Sequence, residues 1–364
     1  MEDILELVTG GVKLNFIHVS NAMNKLARVA KRGTDERSWK LEGNRLRQDP
    51  RFPELIDLVR AQCPSFDAQG GANVLHALGV LDGDLGAAAV DEQLAAQLGE
   101  FVERAARNMN PQHVANSLNA LSKLEAAAAA VSLTGWAGLA KAAERTASDM
   151  KPQAVANSLN ALCKLESAAA AMSPTGWASL AEAVESTARE MNPQNGRNTL
   201  NVLCKLEAAA AVSPTGWAGL SEAAERTARE TDAQGIANTL NALCKLEAAA
   251  AAVSPKGWAG LAEAAERTAR EMNEQGVTNT LNALCKLEAA AAAVSPTGWV
   301  GLAERTAREM NPQGVANSLN ALGKLVSDAE RNNSSGCVAA CDRLHRARQS
   351  RVARPYETVI LGCN

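Results

Sequence analysis

Six times along this chain, two asparagines three residues apart are followed, four residues later, by a lysine. The trios are Asn116, Asn119, Lys123; Asn157, Asn160, Lys164; Asn198, Asn201, Lys205; Asn238, Asn241, Lys245; Asn279, Asn282, Lys286; and Asn317, Asn320, Lys324. Two earlier copies are degenerate and read Asn73, His76, Val80 and Asn21, Asn24, Arg28. A carboxamide offers a donor and an acceptor at once, which suits the edge of a nucleobase. A lysine is a point charge on a flexible stem, which suits a phosphate. Modular helical readers spend two or three side chains on one base, so eight copies would cover on the order of eight nucleotides. Trios this alike predict a repetitive or poorly discriminated target. The plainer alternative is that each asparagine bonds to the neighbouring repeat and each lysine is ordinary solvated surface.

The remaining reactive residues are poorly placed for chemistry. Cys163, Cys204, Cys244 and Cys285 share one repeat position, 40 or 41 residues apart. That is not metal-ligand spacing, and the position borders an apolar arc, so buried free thiols in a reducing compartment are expected. Cys337 and Cys341 lie four apart with only His345 nearby, too few ligands for zinc. The four histidines His18, His76, His113 and His345 form no catalytic set, and no glycine-rich phosphate loop or nucleophile motif is present. The expectation is therefore a protein that is not an enzyme and uses no cofactor or metal.

Composition agrees with a binding array. The 364 residues carry 37 basic and 40 acidic side chains, a formal charge of −3, which disfavours a protein that coats nucleic acid by bulk charge. Aromatic residues are only 3%, so the core must be built from Leu, Val and Ala in closely packed helices. The alanine runs stop at four or five, so no membrane span is expected. The acidic opening MEDILELVTGG has the character of neither a transit peptide nor a secretory signal.

The elements that must carry the trios follow from self-similarity. Near-copies of one block begin at Gln112, Gln153, Gln194, Gln234, Gln275 and Gln313, in steps of 41, 41, 40, 41 and 38 residues. Weaker copies start at Gln69 and Ile17. Each block reads as two helices. In the second, Asn110 caps, Pro111 starts, and Val114, Leu118, Leu121 and Leu124 share one apolar arc opposite the trio. The first begins at Ser-Pro, as in Ser173-Pro174, Ser213-Pro214, Ser254-Pro255 and Ser295-Pro296. Its inner face is Trp136, Leu139, Ala143, Ala147 and Met150, while Lys141, Glu144 and Arg145 are expected on a solvated outer face. Trp136, Trp177, Trp217, Trp258 and Trp299 all fall on that inner face and read as core, not as stacking platforms. The alanine segment after each second helix, such as 125–131, is expected to project past the packed layer. Such units cannot bury their faces alone, so the predicted fold is all-α: a right-handed α-solenoid of stacked two-helix repeats. The predicted organisation is a degenerate N-terminal repeat with a charged loop at 33–48 inserted (1–65), the tandem array (66–326), and a basic tail or cap (327–364).

The second-helix signature N-P-Q-x-V-A-N-S-L-N-A-L-x-K-L (Asn110–Leu124, Asn311–Leu325) resembles that of the octotricopeptide-repeat family. So does S-P-T-G-W at Ser173–Trp177, similar to that family's P-P-P-E-W. The resemblance covers about residues 14–325, but the repeats here are mostly 41 rather than 38 residues, and no C-terminal RAP-type segment is seen. It implies a helical-repeat protein that binds single-stranded RNA in a chloroplast or mitochondrion and acts on transcript stability, processing or translation. With no transit peptide visible, a cytoplasmic site is the alternative location. The expected partner is single-stranded RNA, with no membrane and no DNA. The competing expectation is a peptide- or protein-binding α-solenoid scaffold.

Overall fold

The computed structural model describes residues 2–10, 13–30, 36–85, 90–206, 209, 211–284, 286–295, 298 and 302. Among them every regular element is helical. The N-terminal helices are α1 (Glu2–Thr9), α2 (Phe16–Ala30), α3 (Glu36–Gln48), α4 (Arg51–Gln62) and α5 (Ala68–Leu85). The regular repeats follow as α6 (Glu92–Ala105), α7 (Pro111–Leu121) and α8 (Glu125–Ala130), then α9 (Leu133–Thr146), α10 (Pro152–Leu162) and α11 (Glu166–Ala170). Next come α12 (Pro174–Thr187) and α13 (Pro193–Leu203), then α14 (Pro214–Thr227), α15 (Ala233–Leu243) and α16 (Glu247–Ala252). The last described repeat is α17 (Pro255–Thr268), α18 (Glu274–Leu284) and α19 (Glu288–Ala293). The final trio and the tail from residue 327 lie outside the described residues, as do the side chains of Trp299 and Cys285.

The chain divides into two units, Met1–Val184 with Leu206–Ala211, and Glu185–Lys205 with Val212–Asn364. In the first, the second helices α2, α5, α7 and α10 pack side by side, and the first helices α6 and α9 do the same on the other layer. In the second, α13, α15 and α18 form one layer and α14 and α17 the other. Each unit is therefore an α-solenoid of stacked repeats, as expected. The cores follow the apolar arcs: Val114, Leu118, Leu121 and Leu124 are buried, and so are Trp136, Leu139, Ala143, Ala147 and Met150. Trp217 and Trp258 are buried and Trp177 is half-buried.

Three expectations need correction. The charged insertion is not a loop over its described length: it forms α3, which packs on α5 and buries Leu46 completely. Leu46 is the buried large apolar side chain among those described on this helix.

The alanine segments do not project. At Leu124 the backbone leaves the helix (φ −93°, ψ 80°), and Leu165, Leu246 and Leu287 break in the same way. A short third helix then starts on Glu125, Glu166, Glu247 or Glu288, where an acid in the first turn complements the helix dipole. It folds back onto the first helix of its own repeat: α8 onto α6, α16 onto α14, α19 onto α17. Ala127, Ala168, Ala249 and Ala290 are buried there. The approach is close enough that a Cβ on Gly99 would stand 2.4 Å from the Ala130 carbonyl oxygen. Alanine is therefore chosen for reach as well as helix propensity.

The outer-face Glu and Arg are not merely solvated. Glu144 accepts hydrogen bonds from Ser173 Oγ (3.0 Å) and Thr175 Oγ1 (2.9 Å), the cap of the next first helix. Glu103 does the same for Ser132 (2.6 Å) and Thr134 (2.7 Å), and Glu185 for Ser213 and Thr215. Glu225 and Glu266 instead take the backbone N–H and the hydroxyl of Ser254 and Ser295. The glycine of S-P-x-G-W makes room, since a Cβ on Gly257 would lie 2.2 Å from Glu225 Cδ. The adjacent arginine reaches the other way: Arg145 donates to the Met109 carbonyl (2.8 Å), Arg226 to those of Arg189 and Met191 (both 2.6 Å). Met109 and Met191 follow the short 3-10 turn after the preceding repeat's first helix, and Arg189 lies within that turn. Neighbouring first helices stand side by side, within reach of long side chains that a single helical wheel shows only as pointing outward.

Hydroxyl donors stabilise the ionised Glu103 and Glu185 and hold both carboxyls below the usual glutamate range. A carboxylate with a lowered folded pKa contributes stability above its unfolded pKa of about 4.3, and loses it as the pH falls through the lower folded value. Acid titration of the thermal midpoint should therefore fall below about pH 4.3, and a Glu103→Gln, Glu185→Gln double variant should show a flatter fall. Superimposable acid limbs for variant and parent would remove these carboxylates from the inter-repeat bond.

Candidate functional site

The trios sit where the repeat places them, on the second-helix layer of each unit. Asn116, Asn119, Asn157, Asn160, Asn198, Asn201, Asn238, Asn241 and Asn279 are half-buried, and Asn282 is exposed. All of their helices except α10 are held by side-chain caps: Asn110 accepts from the His113 N–H (2.9 Å), Asn192 from Asn195 (2.8 Å), Asp232 from Gly235 (2.6 Å) and Asn273 from Gly276 (2.8 Å). Within the described residues, the hydrogen bonds of the trio asparagines do not tie repeat to repeat. Asn279 accepts from Gln275 on its own helix (2.9 Å).

The lysines are not on the helix itself. Lys123, Lys164, Lys205, Lys245 and Lys286 occupy the closing turn, each with its N–H on the carbonyl three residues back (2.9–3.0 Å). All five are exposed, and no ion pair among the described residues engages Lys164, Lys205, Lys245 or Lys286. A cation here also complements the negative end of the helix dipole, by about 0.3–1 kcal/mol, so the lysine row has a structural benefit of its own.

In the first unit the trio positions converge on a groove of about 540 Å³. Its walls are Asn24 and Arg28 of α2, Asn73 and His76 of α5, Gln112, Ala115 and Asn116 of α7, and Gln153, Ala154 and Asn157 of α10. Asn110, Pro111, Asp149 and Lys151 complete it. The groove crosses the layer obliquely. It uses the second and third trio positions on α2, the first and second on α5, and the first on α7 and α10 together with the glutamine one turn before. Asn119, Asn160, Lys123 and Lys164 are not among its lining residues. The asparagines of the first unit thus face the groove in part, while Lys123 and Lys164 lie outside its lining.

Burial, with the charges of Lys123 and Arg28, holds the His76 imidazole below the usual histidine range. At neutral pH it is therefore uncharged, one donor and one acceptor, like the asparagine it replaces. The glutamines were the residues missed. The signal was present: Gln69, Gln112, Gln153, Gln194, Gln234 and Gln275 recur four residues before the first trio asparagine, hence on the same face, and all are exposed. Lys151 was also missed; it stands where other copies have a capping Asn or Asp.

The repeated cysteines are free but not fully buried: Cys163, Cys204 and Cys244 are half-buried in the closing turn beside the lysines. Desolvation raises the thiol pKa of Cys204 and Cys244, which leaves them poor nucleophiles. Among the described residues no group of three His, Cys, Asp or Glu is placed to hold a metal ion. No helix there is long and apolar enough to cross a membrane.

Segments 91–118, 220–240, 260–281 and 293–319 match a family model described as "Protein of unknown function (DUF1601)". The first of these runs from the start of α6 into α7, one first helix and most of one second helix. No curated protein matches the chain. Among solved structures, a "circular tandem repeat protein with novel repeat topology and enhanced subunit contact surfaces" aligns over 96% of this chain and 98% of its own, at 14% identity and a TM-score of 0.30. A "homology model of the full-length AP-3 complex in an intermediate open conformation" aligns over 95% of this chain and 80% of its own, at 9% identity and a TM-score of 0.27.

Proposed function

We propose that the second-helix layer binds single-stranded RNA, reading bases with its carboxamides and holding phosphates with its lysines. The observation that carries this reading is the groove of the first unit, where asparagines from four successive repeats meet with their side chains half-buried and not spent on joining the repeats. Lysines recurring at one height beside such a surface supply charge at the spacing of the repeat, so affinity does not need a basic chain. The resemblance to octotricopeptide-repeat proteins supports RNA over peptide, an organelle as the place of action, and post-transcriptional control as the role. The mechanism is occupancy: a covered segment is shielded from exonucleases or kept unpaired for translation.

The test is selection from a random single-stranded RNA pool by the purified full-length protein at near-physiological salt. Enrichment of a short repetitive motif is the expected result. A folded, helical protein that enriches nothing would overturn the proposal and leave a peptide or protein as the partner.

A further inference from the structure

We infer that the oblique groove of the first unit is an adenine-reading pocket, with Lys151 as its phosphate contact; this rests on the RNA reading above and gives its base preference. Carboxamides dominate the walls: Asn73, Asn116 and Asn157 from three repeats, with Gln112 and Gln153 one turn earlier on two of them. A carboxamide pairs bidentately with the N6 amino group and N7 of adenine, an edge that a single strand leaves open. Guanine is matched by a bidentate cation and cytosine by a carboxylate. Arg28, Lys151 and Asp149 are the charged residues of the groove, but carboxamides are the most numerous polar side chains of its lining. Apart from the His76 imidazole no aromatic ring lines it, so hydrogen bonding, not stacking, must discriminate.

Lys151 carries the second part of the argument. It holds the N-cap position of α10, where Asn110, Asn192, Asp232 and Asn273 each accept a backbone N–H in their own repeats. Lys151 makes no side-chain cap, and no described ion pair engages it. A cation at the positive end of a helix is unfavourable on both counts. Two N-caps line the groove, Asn110 of α7 and Lys151 of α10, and only Lys151 brings a charge there, beside Gln153 and Asn157. A phosphate seated there would meet the lysine and the helix N-terminus together.

The experiment compares the full-length protein on octamers A8, U8, C8 and alternating GU over a salt series. A8 should bind about tenfold or more tighter than the others, the size of one good bidentate pair. Gln153→Leu and Asn157→Leu should each weaken A8 by about tenfold and U8 far less. Lys151→Asn should raise the thermal midpoint by restoring the cap, yet weaken every octamer and lower the salt slope by about 0.7. Equal binding of all four octamers would leave the RNA reading standing and overturn the adenine pocket. A Lys151→Asn protein with an unchanged salt slope would overturn the phosphate contact. If no octamer binds the folded protein, the RNA reading fails and this inference with it.

Discussion

Replacing Trp258 with alanine is expected to destabilise the second unit by about 3–5 kcal/mol, the range for emptying an aromatic site in a packed core. The indole is only 6% exposed. It lies on the inner face of α17 beside Leu261, Ala262 and Ala265, all buried. A core built from Leu and Ala has few atoms that can move into the space an indole leaves. Because repeats contact only their neighbours, the damage should be local: hydrogen exchange should quicken first in α17, α18 and the adjacent repeat. Denaturant unfolding gives the magnitude. RNA affinity per folded molecule should not change, since the ring does not face the trio surface. A variant that loses binding while keeping its stability would show the tryptophans to be a stacking platform after all.

The second large effect concerns charge. Changing Lys164, Lys205, Lys245 and Lys286 together to alanine should leave folding nearly intact, because all four are exposed in closing turns and engage no described ion pair. Single-stranded nucleic acid releases about 0.7 counterion per phosphate contact, so four lost contacts lower the salt slope by roughly three and the affinity near 0.1 M salt by roughly 10²–10³-fold. Some stability goes with the helix-dipole term, about 0.3–1 kcal/mol per site at most. That loss would appear in unfolding but not in the salt slope, so the two roles of the lysines separate. An unchanged slope would reduce the row to its structural role.

Much of this protein was readable without coordinates because a repeat declares its own period. The recurrence of one block, the Ser-Pro and Asn-Pro starts and the apolar arcs through Val114, Leu118 and Leu121 determined the helices, their caps and the all-α stacked fold. These are local effects: capping and 3.6-residue periodicity act within one turn or one helix face. The side of the helix that carries the asparagines was legible for the same reason.

Tertiary structure alone decided what happens between helices. Glu144 and Arg145 look like a charged outer face on one helix, and become inter-repeat bonds only when a neighbour's cap and turn stand within reach. The alanine run looks like a free extension until the break at Leu124 turns it back against Gly99. The groove depends on the relative placement of four helices. That placement admits Gln112, Gln153 and Lys151 and leaves Asn119 and Asn160 outside the lining. Periodicity reports which face a residue shares; it does not report the angle at which successive faces meet, because many side-chain contacts spread over separate repeats set that angle.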